Sequence, residues 1–77
     1  MIFAKNILVK NLVIYDALVI DKVLKKYVIS QMKHKKWIFP PIDVVKIKKK
    51  YHVMDGNHRA TVAYVLGFRY IPVFILN

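Results

Sequence analysis

The chain has 77 residues, no cysteine and a formal net charge of +10, because 14 lysine and arginine residues outnumber four aspartates and there is no glutamate. A chain of this length forms one domain, residues 1–77, since a compact unit needs upwards of about 50 residues, and a two-domain enzyme is excluded. The lack of cysteine excludes a disulfide framework, a thiolate zinc site and a cysteine nucleophile, and it favours an intracellular, cytoplasmic location. The positive charge favours a polyanionic partner such as nucleic acid or a nucleotide, although solubility alone would also explain it.

The hydrophobic fraction of 57% is high for a small protein, since soluble domains usually have roughly 45–50%. The longest apolar run, 12–20, is interrupted by Asp16 and falls short of the roughly 18 residues that a membrane span needs. The N-terminal region has no signal-peptide pattern, so we expect neither a membrane partner nor export. The surplus apolar surface indicates a homo-oligomer or a complex with a partner protein.

The first half of the chain predicts two short strands and a helix. The apolar runs 7–9 and 12–15 favour strands and are separated by a polar pair suited to a turn. Asp16 or Asp21 is placed to cap a helix that extends to about Lys33. One face of this helix repeats at the i, i+3, i+4, i+7 spacing and comprises Ile20, Val23, Leu24, Tyr27, Val28 and Gln31.

Three further strands are predicted in the second half. The runs 42–47 and 51–54 form a hairpin about a basic turn, and 71–76 forms the last strand. Pro72 cannot donate to a sheet ladder, so it is expected at a sheet edge or at an irregular strand end. With one more helix, described next, the order is ββ-α-ββ-α-β, which is that of a small α+β domain.

A glycine turn leads into the second predicted helix. The tripeptide from Asp55 through Gly56 to Asn57 is a turn signal. Asn57 is expected to cap a helix that reaches about Leu66. Gly67 then occupies the place where a helix ends in a residue with positive φ.

The start of this helix has the features of a phosphate site. Helix N-termini carry unpaired N–H groups and partial positive charge, and Gly56 lets a ligand approach the backbone. Arg59 adds a planar fork suited to phosphate oxygens. An ordinary capped turn, in which Arg59 pairs with Asp55 or Asp43, is the alternative that these residues leave open.

The region from Tyr51 to Val73 resembles the core of the ParB/sulfiredoxin superfamily, whose members share a strand, a D-G-x-x-R turn, a helix, "LG" and an "IPV" strand. The matching residues are Asp55, Gly56, Asn57, His58, Arg59, Leu66, Gly67, Ile71, Pro72 and Val73. Upstream, 7–12 is similar to the opening strand of that family and 41–45 to its "PI-x-V" strand. The resemblance covers nearly the whole chain in the right order and implies a small ParB/sulfiredoxin-like domain with a mixed sheet and two main helices.

The resemblance also implies a ligand, because the Gly-x-x-Arg turn of that superfamily binds nucleotide phosphates. Its members include CTP-binding partition proteins, sulfiredoxins, ADP-dependent serine kinases and proposed nucleases. By this similarity, Gly56 and the backbone of Asn57 and His58 would hold a phosphate of ATP, ADP or CTP, and Arg59 would neutralise it. His58 would contact a phosphate or transfer a proton. The missing cysteine excludes sulfinic-acid reduction, and the missing glutamates depart from the partition proteins and the serine kinases.

Three functions remain open from the sequence. The first is a module that binds nucleotide or DNA without turnover and serves in regulation or DNA maintenance. The alternative is a Mg²⁺-dependent phosphotransferase, NTPase or nuclease with Asp55 and His58 as catalytic groups. The third is a basic interaction protein with a vestigial turn. The scarcity of carboxylates favours the first, and the histidines have no metal-ligand spacing.

Two lysine-rich segments are candidates for contact with a nucleic-acid backbone. One is the predicted hairpin, with Lys46, Lys48, Lys49 and Lys50, and the other is the cluster 33–36. Neither is accompanied by a base-recognition motif, so binding would tolerate many sequences and depend steeply on salt. A solvated basic face is the alternative.

Overall fold

Residues 3–77 are described by the structure, which is a computed structural model. The predicted order ββ-α-ββ-α-β is confirmed. The strands and helices are β1 (Lys5–Leu8), β2 (Leu12–Val13), α1 (Asp21–Met32), β3 (Ile42–Ile47), β4 (Lys50–Asp55), α2 (Asn57–Leu66) and β5 (Tyr70–Ile75). Two single 3₁₀ turns, Val9–Asn11 and Asp16–Leu18, follow β1 and β2.

The five strands form one mixed sheet in the order β1-β5-β3-β4-β2. The pairs β1–β5 and β3–β4 are antiparallel, whereas β5–β3 and β4–β2 are parallel. The predicted hairpin of β3 and β4 is therefore present. The two N-terminal strands do not pair with each other but lie at opposite edges of the sheet.

The short connection between these two edge strands forces the sheet to curl. In a flat sheet, five strands spaced about 4.8 Å apart would place the edge strands about 19 Å from each other. The chain from Leu8 to Leu12 can span at most about 14 Å. The turn Val9–Asn11 therefore draws the two edges together, and Val9 N donates to Arg69 O at 2.9 Å to hold the turn on the chain before β5.

The core lies between the inner face of the curled sheet and α2. Alternate residues of β3, β4 and β5 are buried there, together with two alanines of α2 that allow the helix to approach the sheet closely. The buried cluster consists of Val9, Ile42, Val44, Val53, Ala60, Ala63, Ile71 and Val73. Helix α1 packs against α2 rather than directly on the sheet.

The sequence predicted Pro72 at a sheet edge or at an irregular strand end, but Pro72 lies in an interior strand. It is in β5, between β1 and β3, and pairs in register with Asn6 of β1. The ladder of β5 with β3 begins one residue later, at Val73 opposite Ile42. The proline is tolerated in an interior strand because it precedes this second ladder.

The predicted caps of both helices are wrong. Helix α1 begins at Asp21 and is preceded by Ile20, which makes no side-chain cap, while Asp16 belongs to a separate 3₁₀ turn. At α2 the cap position is occupied by Gly56, and Asn57 is the first helical residue. The predicted end of α2 is confirmed, because the C-cap residue Gly67 has φ +77°.

A buried glutamine organises the loop that links α1 to β3. Gln31 is fully buried, and its Nε2 donates to Lys36 O at 2.7 Å. Its Oε1 accepts from Ile38 N at 3.0 Å. The side-chain amide of Gln31 thus supplies hydrogen-bond partners to the backbone of the loop. These bonds hold Trp37 in edge-to-face contact with Phe68, with the ring centroids 5.3 Å apart.

We predict that Gln31→Met lowers the free energy of unfolding by about 1–2 kcal/mol, because two partly buried backbone groups of the loop lose their hydrogen-bond partners. Urea unfolding followed by the fluorescence of Trp37, the single tryptophan, would measure this. The neighbouring substitution Met32→Gln is the matched control, because the Met32 side chain is 68% exposed. The free energy of unfolding of this variant should stay within about 0.5 kcal/mol of the wild-type value. Equal effects of the two substitutions would contradict the assigned role of Gln31.

Candidate phosphate-binding site

The junction between β4 and α2 requires glycine at position 56. Gly56 has φ +104°, and a Cβ atom there would lie 2.6 Å from Ile42 Cγ2 and 3.0 Å from Arg59 Nη2. Both the backbone conformation and the contact with β3 therefore exclude a side chain. The first turn of α2 is consequently seated directly on β3.

A β-bulge directs the end of β4 towards the same place. Val44 pairs with Val53, but Asp43 pairs with Asp55, so Met54 is an extra residue on β4. Bulges of this kind change the direction of neighbouring side chains and are frequent beside functional sites. Met54 and Asp55 both line the cleft described below.

The first turn of α2 keeps its amide groups available. The first helical hydrogen bond runs from Ala60 N to Gly56 O at 2.9 Å, and no side chain caps the helix. The N–H groups of 57–59 therefore have no partner within the helix, and they lie at its positive end. This arrangement suits an anion.

The Asn57 side chain binds another segment of the chain. It is only 6% exposed, and its Oδ1 accepts from Tyr15 N at 2.8 Å. Thr61 Oγ1 donates to Asn57 O at 2.8 Å. The backbone N–H of Asn57, which is the group predicted to hold a phosphate, and the side-chain Nδ2 are left for a ligand.

His58 also binds within the protein. Its Nε2 accepts from Ile20 N at 2.9 Å, and its ring stacks on Tyr27 with centroids 5.9 Å apart. A neutral imidazole that accepts at Nε2 carries its proton on Nδ1. Only Nδ1 is therefore left for a phosphate contact or a proton transfer.

Arg59 joins three parts of the structure. Its Nη1 donates to Pro40 O at 3.1 Å and to Pro41 O at 3.2 Å, and its Nη2 lies 3.5 Å from Asp55 Oδ2. Of the two pairings predicted from the sequence, the structure has the one with Asp55 and not the one with Asp43. The Arg59 side chain is 16% exposed and that of Asp55 is 76% exposed. The guanidinium is thus fixed at the wall of the cleft, whereas Asp55 stands in solvent and is held weakly.

A cleft of about 260 Å³ opens in front of the first turn of α2. Its walls consist of Leu18, Tyr27, Met54, Asp55, Gly56, Asn57, His58 and Arg59. All the residues predicted for phosphate binding and catalysis therefore lie together. The sequence did not indicate Leu18, Tyr27 and Met54, and their apolar character does not distinguish them from core residues.

The four hairpin lysines predicted to contact nucleic acid are not at this cleft. Lys46, Lys48, Lys49 and Lys50 surround the turn that joins β3 to β4, whereas Asp55 is at the other end of β4. Six residues of strand separate the two ends by about 17 Å. The phosphate site and the lysine turn are therefore distinct surfaces.

Within residues 3–77, no three histidine, cysteine, aspartate or glutamate side chains are grouped as a metal ion would require. Asp55 is the one carboxylate among the residues that line the cleft. Across the same described range, neither helix combines the length and the apolar character needed to cross a membrane.

We predict that Gly56→Ala lowers the free energy of unfolding by about 3 kcal/mol, because the left-handed backbone and the contact with Ile42 both oppose a Cβ atom. Gly67→Ala is the matched control, since Gly67 has φ +77° but nothing lies within 4 Å of its Cβ position. It should cost only about 1 kcal/mol. Urea unfolding of both variants measures the difference, and equal costs would show that the contact with Ile42 is unimportant.

No protein-family model and no curated protein sequence matches this chain. Solved structures do match it in fold. A conserved hypothetical protein from Pyrococcus furiosus superposes with a TM-score of 0.82 and 23% identity, covering 96% of this chain and 32% of that one. A free serine kinase variant in complex with AMP superposes with a TM-score of 0.81 and 23% identity, covering 96% of this chain and 31% of the kinase.

Sulfiredoxin from Arabidopsis thaliana superposes with a TM-score of 0.72 and 19% identity, and the match covers 95% of this chain and 83% of sulfiredoxin. The chain thus spans about a third of the length of the first two proteins and most of the third. At these identities the likeness concerns the fold alone. The chain has the sulfiredoxin-like fold, as its motifs predicted.

Proposed function

We propose that this chain is a nucleotide-binding module that holds a phosphate at the first turn of α2. The observation that carries the proposal is the uncapped turn at 57–59, which faces a cleft at the end of β4. The cleft is concave, its floor is the positive end of a ten-residue helix, and Arg59 stands at its wall. These are the elements of a phosphate site.

The cleft volume indicates which part of a nucleotide it accommodates. About 260 Å³ is slightly below the usual range of ligand pockets, roughly 300–1,000 Å³. The phosphate and the ribose fit inside, and the base extends over the apolar rim formed by Leu18 and Met54, which are 61% and 58% exposed. Exposed apolar side chains at the mouth of a polar cleft suit the flat face of a base.

The comparisons support a nucleotide as the ligand. One structure of the same fold is a free serine kinase variant with bound AMP. This chain covers about a third of that kinase, so we extend only the ligand class to it. We propose that such a module serves in regulation or in DNA maintenance.

Turnover is the second candidate function, and one observation favours it: Asp55 and His58 line the same cleft. In a Mg²⁺-dependent phosphotransferase, NTPase or nuclease, Asp55 would bind the cation and His58 would transfer a proton through Nδ1. Two observations weigh against it. The Nε2 of His58 accepts from Ile20 N, and Asp55 is the one carboxylate among the residues that line the cleft.

We predict that ADP and ATP bind saturably and that adenosine, which lacks phosphate, binds at least tenfold more weakly, since a charge-assisted phosphate contact contributes about 1.5–3 kcal/mol. Calorimetric titration with adenosine, AMP, ADP, ATP and CTP at moderate salt would measure the series. Equal affinities for adenosine and ADP would contradict a phosphate site.

Arg59→Lys is the matching variant for this titration, because it keeps the charge and loses the planar fork. Nucleotide affinity should fall about tenfold or more. Its unfolding must be measured in parallel, since Arg59 also binds the carbonyls of Pro40 and Pro41. Lys22→Ala, which removes one positive charge from α1, is the control for the effect of net charge, and it should leave nucleotide affinity unchanged.

Asp55→Asn separates binding from turnover. In a module without turnover, removing the carboxylate next to the phosphate should raise nucleotide affinity by a few fold in the absence of Mg²⁺, because a like charge is removed. In an enzyme, the same substitution should abolish product formation with Mg²⁺ while the fold persists. Chromatography of incubated nucleotide, together with titration of both proteins, distinguishes the two functions.

A further inference from the structure

We propose a second binding site, at the other end of the sheet, for single-stranded nucleic acid: one base enters the open end of the curl while the backbone lies on the lysine turn. This inference goes beyond the proposed nucleotide site and does not depend on it. Its basis is a cavity that combines aromatic and apolar walls with lysines at its rim.

The cavity has a volume of about 530 Å³, twice that of the phosphate cleft. Its walls consist of Phe3, Lys5, Ile7, Lys46, Tyr51, Ile75 and Asn77. These residues come from β1, β3, β4, β5 and the segments that flank β1 and β5, and none of them belongs to α2. The volume lies within the range of ligand pockets.

The cavity has an apolar interior and a cationic rim. Ile7 and Ile75 supply aliphatic surface, and Phe3, which is 73% exposed, supplies an aromatic ring. Lys46 Nζ lies 5.6 Å from the centroid of Tyr51, with which Lys46 pairs across β3 and β4. Aromatic rings beside cations are the combination that binds unpaired bases and their phosphates.

The rim of the cavity is held in a defined shape. The Asn77 side chain pairs with the backbone of Lys46: its Nδ2 donates to Lys46 O at 2.8 Å, and its Oδ1 accepts from Lys46 N at 2.9 Å. Leu76 N donates to Val44 O at 2.9 Å, so the contact of β3 with the segment after β5 continues to Asn77. A base entering the cavity therefore meets a preformed wall.

The four aspartates of the chain lie away from this end of the sheet. Asp43 and Asp55 pair with each other at the opposite end of the sheet. Asp16 and Asp21 belong to the segment that Asn57 and His58 hold at the start of α2. None of the seven residues that line the cavity is acidic.

The lysine turn continues this positive surface beyond the cavity. Lys48, Lys49 and Lys50 are exposed and follow Lys46 and Ile47 around the hairpin. A strand whose base occupies the cavity can place its neighbouring phosphates on these side chains. A duplex can use the lysines but not the cavity, because its bases are stacked and paired.

The test compares strands that carry equal numbers of phosphates but differ in their bases. Fluorescence anisotropy of the full chain would be measured with labelled oligo(dT) and oligo(U) of about 12 nucleotides, with an abasic strand of the same length, and with the duplex. We expect oligo(dT) to bind about tenfold more tightly than the abasic strand, which is the effect of one stacked base. Comparison of oligo(U) with oligo(dT) shows whether RNA and DNA bind with equal affinity.

Two variants assign the effect to the cavity. Phe3→Ala, at an exposed side chain, should bring the affinities for oligo(dT) and the abasic strand to within about twofold. Lys46→Ala should reduce the slope of log affinity against log salt by about 0.7, the value for one phosphate contact on a single strand. Lys22→Ala, on α1, is the control and should leave both quantities unchanged.

Three outcomes would overturn the proposal. Equal binding of oligo(dT), the abasic strand and the duplex would show that the lysines form only a general basic face. An unchanged preference for bases in Phe3→Ala would place the base elsewhere. Displacement of the oligonucleotide by saturating ADP would place the strand in the phosphate cleft. Retained oligonucleotide binding in a protein that binds no ADP would leave this inference standing while the proposed function fails.

Discussion

The contact between Gly56 and Ile42 is the constraint on which the rest of the structure depends. It places the first turn of α2 directly on β3, at a position where a side chain would lie 2.6 Å from Ile42 Cγ2. From this turn, the Asn57 side chain binds the backbone of Tyr15, and His58 binds that of Ile20. A single turn of helix thus holds the long connection between β2 and α1, which has no sheet partner of its own.

The same turn shows how a polar motif can be structural and still form a site. The side chains of Asn57, His58 and Arg59 are largely engaged with backbone groups of other segments. Their own N–H groups have no partner in the helix. The side chains therefore fix the position and direction of the turn, and the amides remain for an anion. A site built in this way needs few charged groups, which is consistent with a chain that has four aspartates and no glutamate.

The curl of the sheet creates two ends with different properties. At one end α2 begins, the aspartates gather, and the cleft is small. At the other end a larger cavity has Lys5 and Lys46 among its lining residues, and no residue of α2 lines it. The strands between them are about 17 Å long, so the cleft and the cavity are separate surfaces. The hairpin lysines thus lie at the end of the sheet away from the cleft that the motif forms.

Local backbone preference and contacts within one turn were enough to predict the order of elements, the glycine turn and the end of α2 at Gly67, and to single out Asp55–Arg59 as neighbours. Long-range pairing, in contrast, places β1 and β2 at opposite edges, Pro72 inside the sheet, and Asn57 against Tyr15 instead of at the cap of α2. It also brings Met54 to the cleft through a bulge and places Phe3 and Lys46 on the wall of the same cavity. These features rest on pairings between residues far apart in the chain. Hydrophobic pattern and turn chemistry describe each segment, but they do not specify which strands become neighbours or where the curled sheet is left open.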